Sequence, residues 1–418
     1  MKRGGEKSSY KSDKAVEFTV EKIIENALNL RATDVHIEPR EDSTLVRFRI
    51  HGALRDIEKL PKTYSQKLAK HFKFLGDLDF SEKNFAQTAQ IKHGNSNIRV
   101  SIAPTFLGEK ITLRVLSAKS RVRTLEEIGI WGENLRLIQQ ALRQPHGIIF
   151  TIGQGKNNTN FALINELVSS EKNIVTVEKH IEKAIPNLNQ TSVNPRIGLD
   201  CFRATQSALN QNPDVIMVDD VRDSKTAELL FDAAARGKLV IASVPVQHIS
   251  EVIPYLEFLG IPNFLLATNI LAVVSQKLVR TAAKTALEFR KINKTESQVL
   301  ANEFKIQIPT IHELEKAATK HFGEKTHTSE LSILEIPQMK SEFSEIGFTG
   351  VTGIFEVMSF IEGKFGRELR NLVAHSPNSA EIEDFLDENS FVSLKTDGLL
   401  KALQGQTTVR EIMRRTGF

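Results

Sequence analysis

The sequence contains little cysteine and no long apolar run. Its 418 residues include one cysteine, Cys201, which excludes an internal disulfide and a cysteine-rich zinc site and is typical of a reducing cytoplasm. The longest apolar passage, 264–274, is interrupted by Thr268 and Asn269 and is too short to span a bilayer. We therefore expect any membrane association to depend on partners.

A strong excess of either charge is also missing. Lys and Arg number 55 against 51 Asp and Glu, a net charge of +4, and the basic residues are scattered along the chain. Because a nucleic-acid-binding surface usually concentrates Lys and Arg on one face, we expect no nucleic-acid partner. Segment 1–14 is polar and basic without the apolar core of a signal peptide, so we expect a flexible tail.

The apolar pattern predicts several domains, as the length of the chain suggests. A helical pattern at 15–30 and alternating strands at 34–38 and 45–50 predict an N-terminal α+β domain over 15–118. The basic, aperiodic segment 119–123 is the predicted linker. Apolar runs alternating with helical patterns predict an α/β domain with a parallel sheet over 124–285. Segment 286–418 is predicted to be helical, with no buried strand beyond Lys277.

A phosphate-loop outline lies at 147–165, where an apolar run meets a glycine, a polar loop and then a helical pattern. The working motif is G-x-x-x-x-G-K-[ST], in which the lysine contacts phosphates and the hydroxyl binds magnesium. The corresponding positions are Gly153, Gln154, Gly155, Lys156, Asn157, Asn158, Thr159 and Asn160. Only the first glycine of the motif is present. A modified nucleotide site, a lost one and an ordinary loop all remain open from these residues.

A second signal is the pair Asp219 and Asp220 directly after the apolar run 215–218. Nucleotide hydrolases hold magnesium and its water with a carboxylate at the end of a buried strand. A strand whose following turn is capped by acidic residues gives the same pattern. The two interpretations are about equal on this segment alone.

Several motifs in collinear order resemble the assembly ATPases of type II secretion and type IV pili, and the resemblance covers 15–418. It rests on 32–39 (ATDVHIEP), 46–52 (VRFRIHG), 99–105 (RVSIAPT), 108–114 (GEKITLR), 214–227, 276–280 (QKLVR) and 352–356 (TGIFE). Asp397 with Gly398, Gly405, and Thr407 with Thr408 also resemble the closing helices of that family.

The resemblance implies an α/β fold, with a RecA-like P-loop NTPase domain, a preceding small α+β domain of PAS-like type and a helical C-terminal part. It implies a ring hexamer at the cytoplasmic side of the inner membrane, with secretion or pilus platform proteins as partners. ATP with Mg²⁺ would bind between the two domains. By motif, Arg99 and Arg114 of the smaller domain would reach the phosphates.

The departures from the family pattern concentrate on the phosphate site, which is a degenerate Walker A motif. Thr159 stands at the position of the family lysine and Asn160 at that of the magnesium hydroxyl, while Lys156 lies on the predicted loop. By the same alignment, Glu178 is retained as a water-positioning carboxylate and Asp220 as a magnesium-side carboxylate. Further family positions have changed to Lys179, Gln206, Asn210, Lys238 and Pro245, and Ala283 and Ala286 replace zinc-binding cysteines.

The leading hypothesis is a pseudo-ATPase, with weakened ATP and Mg²⁺ binding and no zinc. It would be a structural or regulatory subunit, in a ring of its own or mixed with an active paralogue. A second hypothesis is an active motor with a rearranged loop, in which Lys156 or Lys179 supplies the missing charge. A third is a nucleotide-sensing module, in which Gly153, Gly155 and Asn158 bind nucleotide without turnover.

Overall fold

The computed structural model of the protein describes residues 13–94, 96–116, 122–168, 171–181, 184–283, 285, 287–291, 294–304, 335–339, 347–361, 363–389 and 391–417. Most of the predicted tail 1–14 and of the predicted linker 119–123 lies outside the described residues. The chain divides into two compact units, Met1–Arg121 and Val122–Phe418. Within the described ranges, no helix combines the length and apolar character that a membrane crossing requires.

The first unit is a six-stranded antiparallel sheet with two helices. Its elements are α1 (Lys14–Asn29), β1 (Asp34–Pro39), β2 (Ser43–Ile50), β3 (Ala53–Pro61), α2 (Tyr64–Leu75), β4 (Gln87–His93), β5 (Ser96–Thr105) and β6 (Gly108–Leu116). The strand order is β3-β2-β1-β6-β5-β4. The strands predicted at 34–38 and 45–50 are confirmed, whereas β3 and β4 were not predicted.

The alternating pattern of the first unit separates its two faces. Val35 and Ile37 of β1 are buried with Phe48 of β2 in one core with α1 and α2, as the period of two in a strand requires. On the opposite face, the Glu38 carboxylate lies 2.9 Å from the Lys110 ammonium. The sheet is therefore apolar towards its helices and charged on its other side.

The second unit contains a seven-stranded sheet of order β15-β12-β7-β11-β10-β8-β9 and a two-stranded sheet, β13-β14. Its elements are α3 (Gly132–Leu142), β7 (Gly147–Gly153), α4 (Lys156–Leu167), β8 (Ile174–Glu178), β9 (Asn189–Ser192), α5 (Cys201–Leu209), β10 (Val215–Val218), α6 (Ser224–Ala235), β11 (Leu239–Ser243), α7 (Val252–Phe258), α8 (Asn263–Asn269), β12 (Ile270–Ala282), β13 (Leu287–Lys291), α9 (Lys294–Phe304), β14 (Glu335–Met339), β15 (Phe348–Ser359), α10 (Gly363–Ala374), α11 (Ser379–Glu388), α12 (Leu394–Leu403) and α13 (Val409–Thr416).

The central strands of this sheet are buried on both faces, as their continuous apolar runs predict. Ile148 and Phe150 of β7 belong to one core, and Ile149 between them belongs to a second. Strands β9, β8, β10, β11, β7 and β12 pair in parallel. Their carboxyl ends therefore meet at one edge of the sheet, which is where open α/β sheets bind ligands.

The expectation of no buried strand beyond Lys277 is wrong. Strand β15 pairs antiparallel with β12 along nearly its whole length, and its second half is buried. Glycines and threonines between Phe348 and Gly353 interrupt the apolar pattern, so the sequence did not predict this strand. Segment 286–418 thus contributes a strand to the main sheet as well as helices, and 305–334 lies outside the described residues.

Charged side chains attach the last helices to this sheet. Arg280 of β12 lies 2.7 Å from Glu411 of α13, and its guanidinium lies 3.9 Å from the ring centroid of Phe348. Lys401 and Asp397 form a fully buried pair at 2.6 Å within α12. The Lys401 ammonium also donates to the carbonyl of Gly353 at 2.9 Å, so α12 is joined to β15.

Candidate functional site

The connection between β7 and α4 is shorter than the sequence predicts. Strand β7 ends at Gly153 and α4 begins at Lys156, so two residues lie between them in place of a phosphate loop that reaches Asn160. The expectation that Lys156 lies on the loop is wrong, because Lys156 is the first helical residue. Gly155 precedes it with φ of 92°, a left-handed conformation that glycine adopts without steric cost.

The side chain of Gln276, on β12, lies against this connection. Its Nε2 donates to the carbonyl of Gln154 at 2.6 Å, and its Oε1 accepts from the hydroxyl of Thr159. The backbone N–H of Gln154 donates in turn to the carbonyl of Gln276 at 3.2 Å. Thr159, the residue at the position of the phosphate lysine, is therefore bonded within the protein and is 1% exposed.

Asn160, at the position of the magnesium hydroxyl, also bonds inward. Its Oδ1 accepts from the Thr151 hydroxyl at 2.6 Å, and its Nδ2 donates to the Ser243 hydroxyl at 2.9 Å. Thr151 lies on β7 and Ser243 ends β11, so the amide of Asn160 joins α4 to two strands. All three side chains are buried, and buried polar groups are stable when they are bonded in this way.

Lys156 and Asp220, two residues predicted to belong to the site, are in contact. The Lys156 ammonium lies 3.4 Å from one carboxylate oxygen of Asp220 and donates to the carbonyl of Val244 at 3.2 Å. The other oxygen of Asp220 accepts from Arg222 at 2.7 Å. Asp220 has a left-handed φ of 63°, which is uncommon for a residue other than glycine.

Glu178 ends β8, the strand beside β10, and its carboxylate is buried. It accepts from the Thr176 hydroxyl at 2.6 Å and from the Gln190 amide at 2.9 Å. Lys179, which follows, is exposed. The predicted carboxylate is therefore present at the expected edge of the sheet, and it is bonded to neighbouring side chains.

Arg99 and Arg114 belong to the first unit. They are directly opposite each other on β5 and β6, so their side chains leave the same face of the sheet. Arg114 is exposed and Arg99 is half-buried. The two arginines that were predicted to contact phosphate are therefore neighbours on one face of the sheet.

Two further titratable groups lie near this edge of the second unit. Burial raises the pKa of the Tyr255 phenol, and the negative charge of Asp220 adds to the effect. Burial likewise raises the pKa of the Cys201 thiol, which favours its protonated form. Cys201 lines a cavity of about 460 Å³ with Asp200, Phe202, Arg203, Asp223 and Lys225.

The sequence did not predict the hydrogen-bond partners of the candidate site residues. Thr151, Ser243 and Gln190 carry no motif, and Gln276 was identified only as part of the segment 276–280. A hydroxyl at the end of a buried strand, as at Ser243, is the one local signal that could have been used. Gln276 lies 117 residues after Thr159, a separation that local patterns do not span.

Comparisons of sequence place the chain among proteins of secretion and pilus assembly. A family model described as type II/IV secretion system protein matches residues 9–414. The type IV pilus assembly ATPase PilB of Thermus thermophilus is 30% identical over 412 residues, which are 97% of this chain and 43% of that protein. The type II secretion system protein E of Dickeya dadantii is 30% identical over 401 residues, 94% of this chain and 74% of that protein.

Comparisons of structure agree on the fold. The ATPase DotB of Legionella pneumophila superposes with a TM-score of 0.64 at 17% identity, covering 95% of each chain. The pilus retraction motor PilT with bound ADP superposes with a TM-score of 0.57 at 18% identity, covering 94% of this chain and 95% of that one. The arrangement of helices and mixed sheets is therefore that of these ATPases.

Proposed function

The chain belongs to the type II/IV secretion system protein family, and we propose that it is a pseudo-ATPase member, a structural or regulatory subunit of a secretion or pilus assembly machine. One observation carries the proposal. The two side chains at the positions of the phosphate lysine and the magnesium hydroxyl, Thr159 and Asn160, are buried and hydrogen-bonded within the protein.

The loss of the lysine removes the main charge on which phosphoryl transfer depends. A lysine amine beside the β- and γ-phosphates stabilises the negative charge that develops in the transition state. The hydroxyl of Thr159 is neutral and bonds to Gln276. Lys156 carries a charge, but its ammonium contacts Asp220 and the carbonyl of Val244, so it is engaged within the protein.

The side chains present do not fit a Mg²⁺ ion. Magnesium in nucleotide sites is held by a carboxylate, a Ser or Thr hydroxyl, waters and phosphate oxygens. Both oxygens of Asp220 accept from cations, Lys156 and Arg222, and both polar atoms of the Asn160 amide are bonded to hydroxyls. A bound ion would have to displace these contacts, so we derive no catalytic step through it.

The assembly is part of the same proposal. The chain spans 43% and 66% of the length of the first two relatives, both PilB proteins, so activities of those whole proteins are not transferred. We propose a hexameric ring, alone or with an active paralogue, at the cytoplasmic side of the inner membrane against platform proteins. Its first unit would be PAS-like and its second RecA-like, with weakened ATP and Mg²⁺ binding and no zinc or nucleic acid.

The test is a titration of the purified full chain with labelled ATP, with and without Mg²⁺, alongside an assay of phosphate release. We expect no phosphate release above that of the Asp220→Asn variant, and ATP binding too weak to saturate either with or without Mg²⁺. A hydrolysing member of the family, purified in parallel, controls for the assay.

Other results would favour the alternative functions. Phosphate release abolished by Lys156→Ala and by Asp220→Asn would replace the proposal with an active motor that has a rearranged loop. Saturable ATP binding without turnover, and without a contribution from Mg²⁺, would indicate a nucleotide-sensing module. A native mass far below that of a hexamer, measured for the chain alone and for its mixture with the hydrolysing family member, would contradict the proposed hexameric ring.

A further inference from the structure

Gln276 contacts both ends of the β7–α4 connection. Its amide nitrogen bonds to Gln154, before the helix, and its amide oxygen bonds to Thr159, one turn into the helix. A single side chain thus bridges the two segments that a phosphate loop would separate. Between them, the backbone N–H of Asn158 donates to the carbonyl of Gly155 at 2.9 Å, which completes a closed turn.

The backbone around Gln276 approaches the connection equally closely. A Cβ atom at Gly153 would lie 2.1 Å from the Gln276 carbonyl oxygen, and one at Gly155 would lie 2.5 Å from its Nε2. Both distances are far inside van der Waals contact. The connection therefore lies in direct contact with Gln276 at both glycines.

The position of Gln276 is itself fixed by strand pairing on both sides. It lies opposite Gly153 of β7 and opposite Phe355 of β15. Arg280, four residues further along β12, is held by Glu411. Hydrogen bonds on both edges and an ion pair at its far end restrict the strand, so the amide of Gln276 stays aimed at the connection.

We propose that Gln276 is an intramolecular latch, defined by its contacts with Gln154 and Thr159, that holds the β7–α4 connection closed without any nucleotide. The inference rests on the proposed function and adds the regulation of the same site. In a hydrolysing subunit a phosphate group orders this loop. Here an amide group of the protein does so, which gives the connection one conformation without a ligand.

The test is hydrogen exchange of the full chain without nucleotide. In Gln276→Met, a side chain of similar length without hydrogen-bonding groups, we expect amides of 154–160 to exchange about tenfold faster or more, because closed local structure limits exchange. The exposed Gln247→Met is the matched control and should leave these amides unchanged. Thr159→Val, which removes only the hydroxyl, should accelerate the same amides, and Thr159→Ser should not.

Unchanged exchange at 154–160 in both Gln276→Met and Thr159→Val would overturn the latch. Gln276→Met could accelerate exchange throughout the chain, and in that case the smaller change Thr159→Val is decisive. Faster exchange confined to 154–160 in Thr159→Val supports the latch, and unchanged exchange there refutes it. The result is independent of ATP turnover: a protein that hydrolyses ATP would contradict the pseudo-ATPase proposal, whereas the exchange of the nucleotide-free chain reports on the latch alone.

Discussion

The ammonium group of Lys156 lies 3.4 Å from the carboxylate of Asp220, so a protein cation sits beside the carboxylate that the family pattern assigns to magnesium. Arg222 contacts the second oxygen of that carboxylate. The charge that a metal would balance is thus balanced within the chain.

We expect this pair to be coupled by about 0.5–1 kcal/mol in the free energy of unfolding, because both side chains are largely buried although the contact is long. A double-mutant cycle of Lys156→Met and Asp220→Asn, measured by urea unfolding, gives the coupling. Asparagine tolerates the left-handed φ of residue 220, so the cycle isolates charge from backbone strain. The exposed Lys179→Met should change stability little, and zero coupling would show that the contact is incidental.

The Asn160 amide should be a large contributor to stability. Asn160→Leu removes the amide that is hydrogen-bonded to the buried hydroxyls of Thr151 and Ser243. We expect this loss to lower the free energy of unfolding by about 2–4 kcal/mol. Asn158→Leu, on the same helix and exposed, is the control and should lie within about 0.5 kcal/mol of wild type. Urea unfolding checks both, and equal effects would contradict the role of the network.

A buried and an exposed i,i+4 ion pair of the C-terminal helices, Lys401–Asp397 and Lys364–Glu368, should differ sharply in their contribution to stability. Lys401→Met leaves the buried Asp397 carboxylate without its cation, and we expect a loss of about 3–5 kcal/mol. Lys364→Met removes a pair with Glu368 whose lysine is 81% exposed, and we expect a change of at most about 0.5 kcal/mol. Thermal unfolding of the two variants, side by side, makes the comparison; a small effect at Lys401 would be inconsistent with its burial.

Glu411 should make the stability depend on pH in acid. Burial alone would raise the pKa of its carboxyl, but hydrogen bonds and charges from Arg414 and Arg280 outweigh burial and lower the pKa to about 2. Because the folded pKa lies below the unfolded value, the stabilisation is present above pH of about 4.5 and is lost as pH falls towards 2, amounting to about 3 kcal/mol.

Between those pH values, the free energy of unfolding should therefore depend less on pH for Glu411→Gln than for wild type. Glu381→Gln, at an exposed carboxylate, should retain the wild-type slope. Identical slopes for Glu411→Gln and wild type would mean that other carboxylates cause the acid sensitivity.

Restoring the residues of the phosphate-loop motif should restore ATP binding. The triple variant Asn158→Gly, Thr159→Lys, Asn160→Thr supplies the glycine, the lysine and the hydroxyl, and its Thr159→Lys change also removes one contact of the latch. At ATP about 100 times Kd, binding would stabilise the folded state by about 2.7 kcal/mol, visible as a thermal shift. The same triple with methionine at 159 lacks the charge and should show no shift.

The regular elements followed from the sequence because their pattern is local. Alternation at Val35, Ile37 and Phe48 predicted β1 and β2, and the apolar run 215–218 predicted β10. The β7–α4 connection did not follow, since counting from Gly153 assumes a loop of family length. The early helix start at Lys156 accompanies contacts with Gln276, which lies on a strand remote in sequence.

Part of the geometry around the candidate residues followed from the sequence and part did not. Glu178 and Asp220 both lie at the same edge of one sheet, because Glu178 ends β8, Asp220 follows β10, and these two strands are parallel. The sequence could not indicate that Thr159 and Asn160 face inward, since polar side chains are expected to be exposed unless a buried partner is known. Their partners Thr151, Ser243 and Gln276 come from three different strands.

The close approach of Gln276 changes what the two glycines of the connection mean. Gly153 and Gly155 resemble remnants of a phosphate motif, yet the space beside each is occupied by Gln276 itself. An alanine at Gly153 would meet the backbone carbonyl of Gln276, and an alanine at Gly155 would be strained by the left-handed φ of 92°, with or without a nucleotide. The backbone geometry and packing of the connection are therefore a sufficient reason for both glycines, and their presence in this sequence is not by itself evidence for ATP binding.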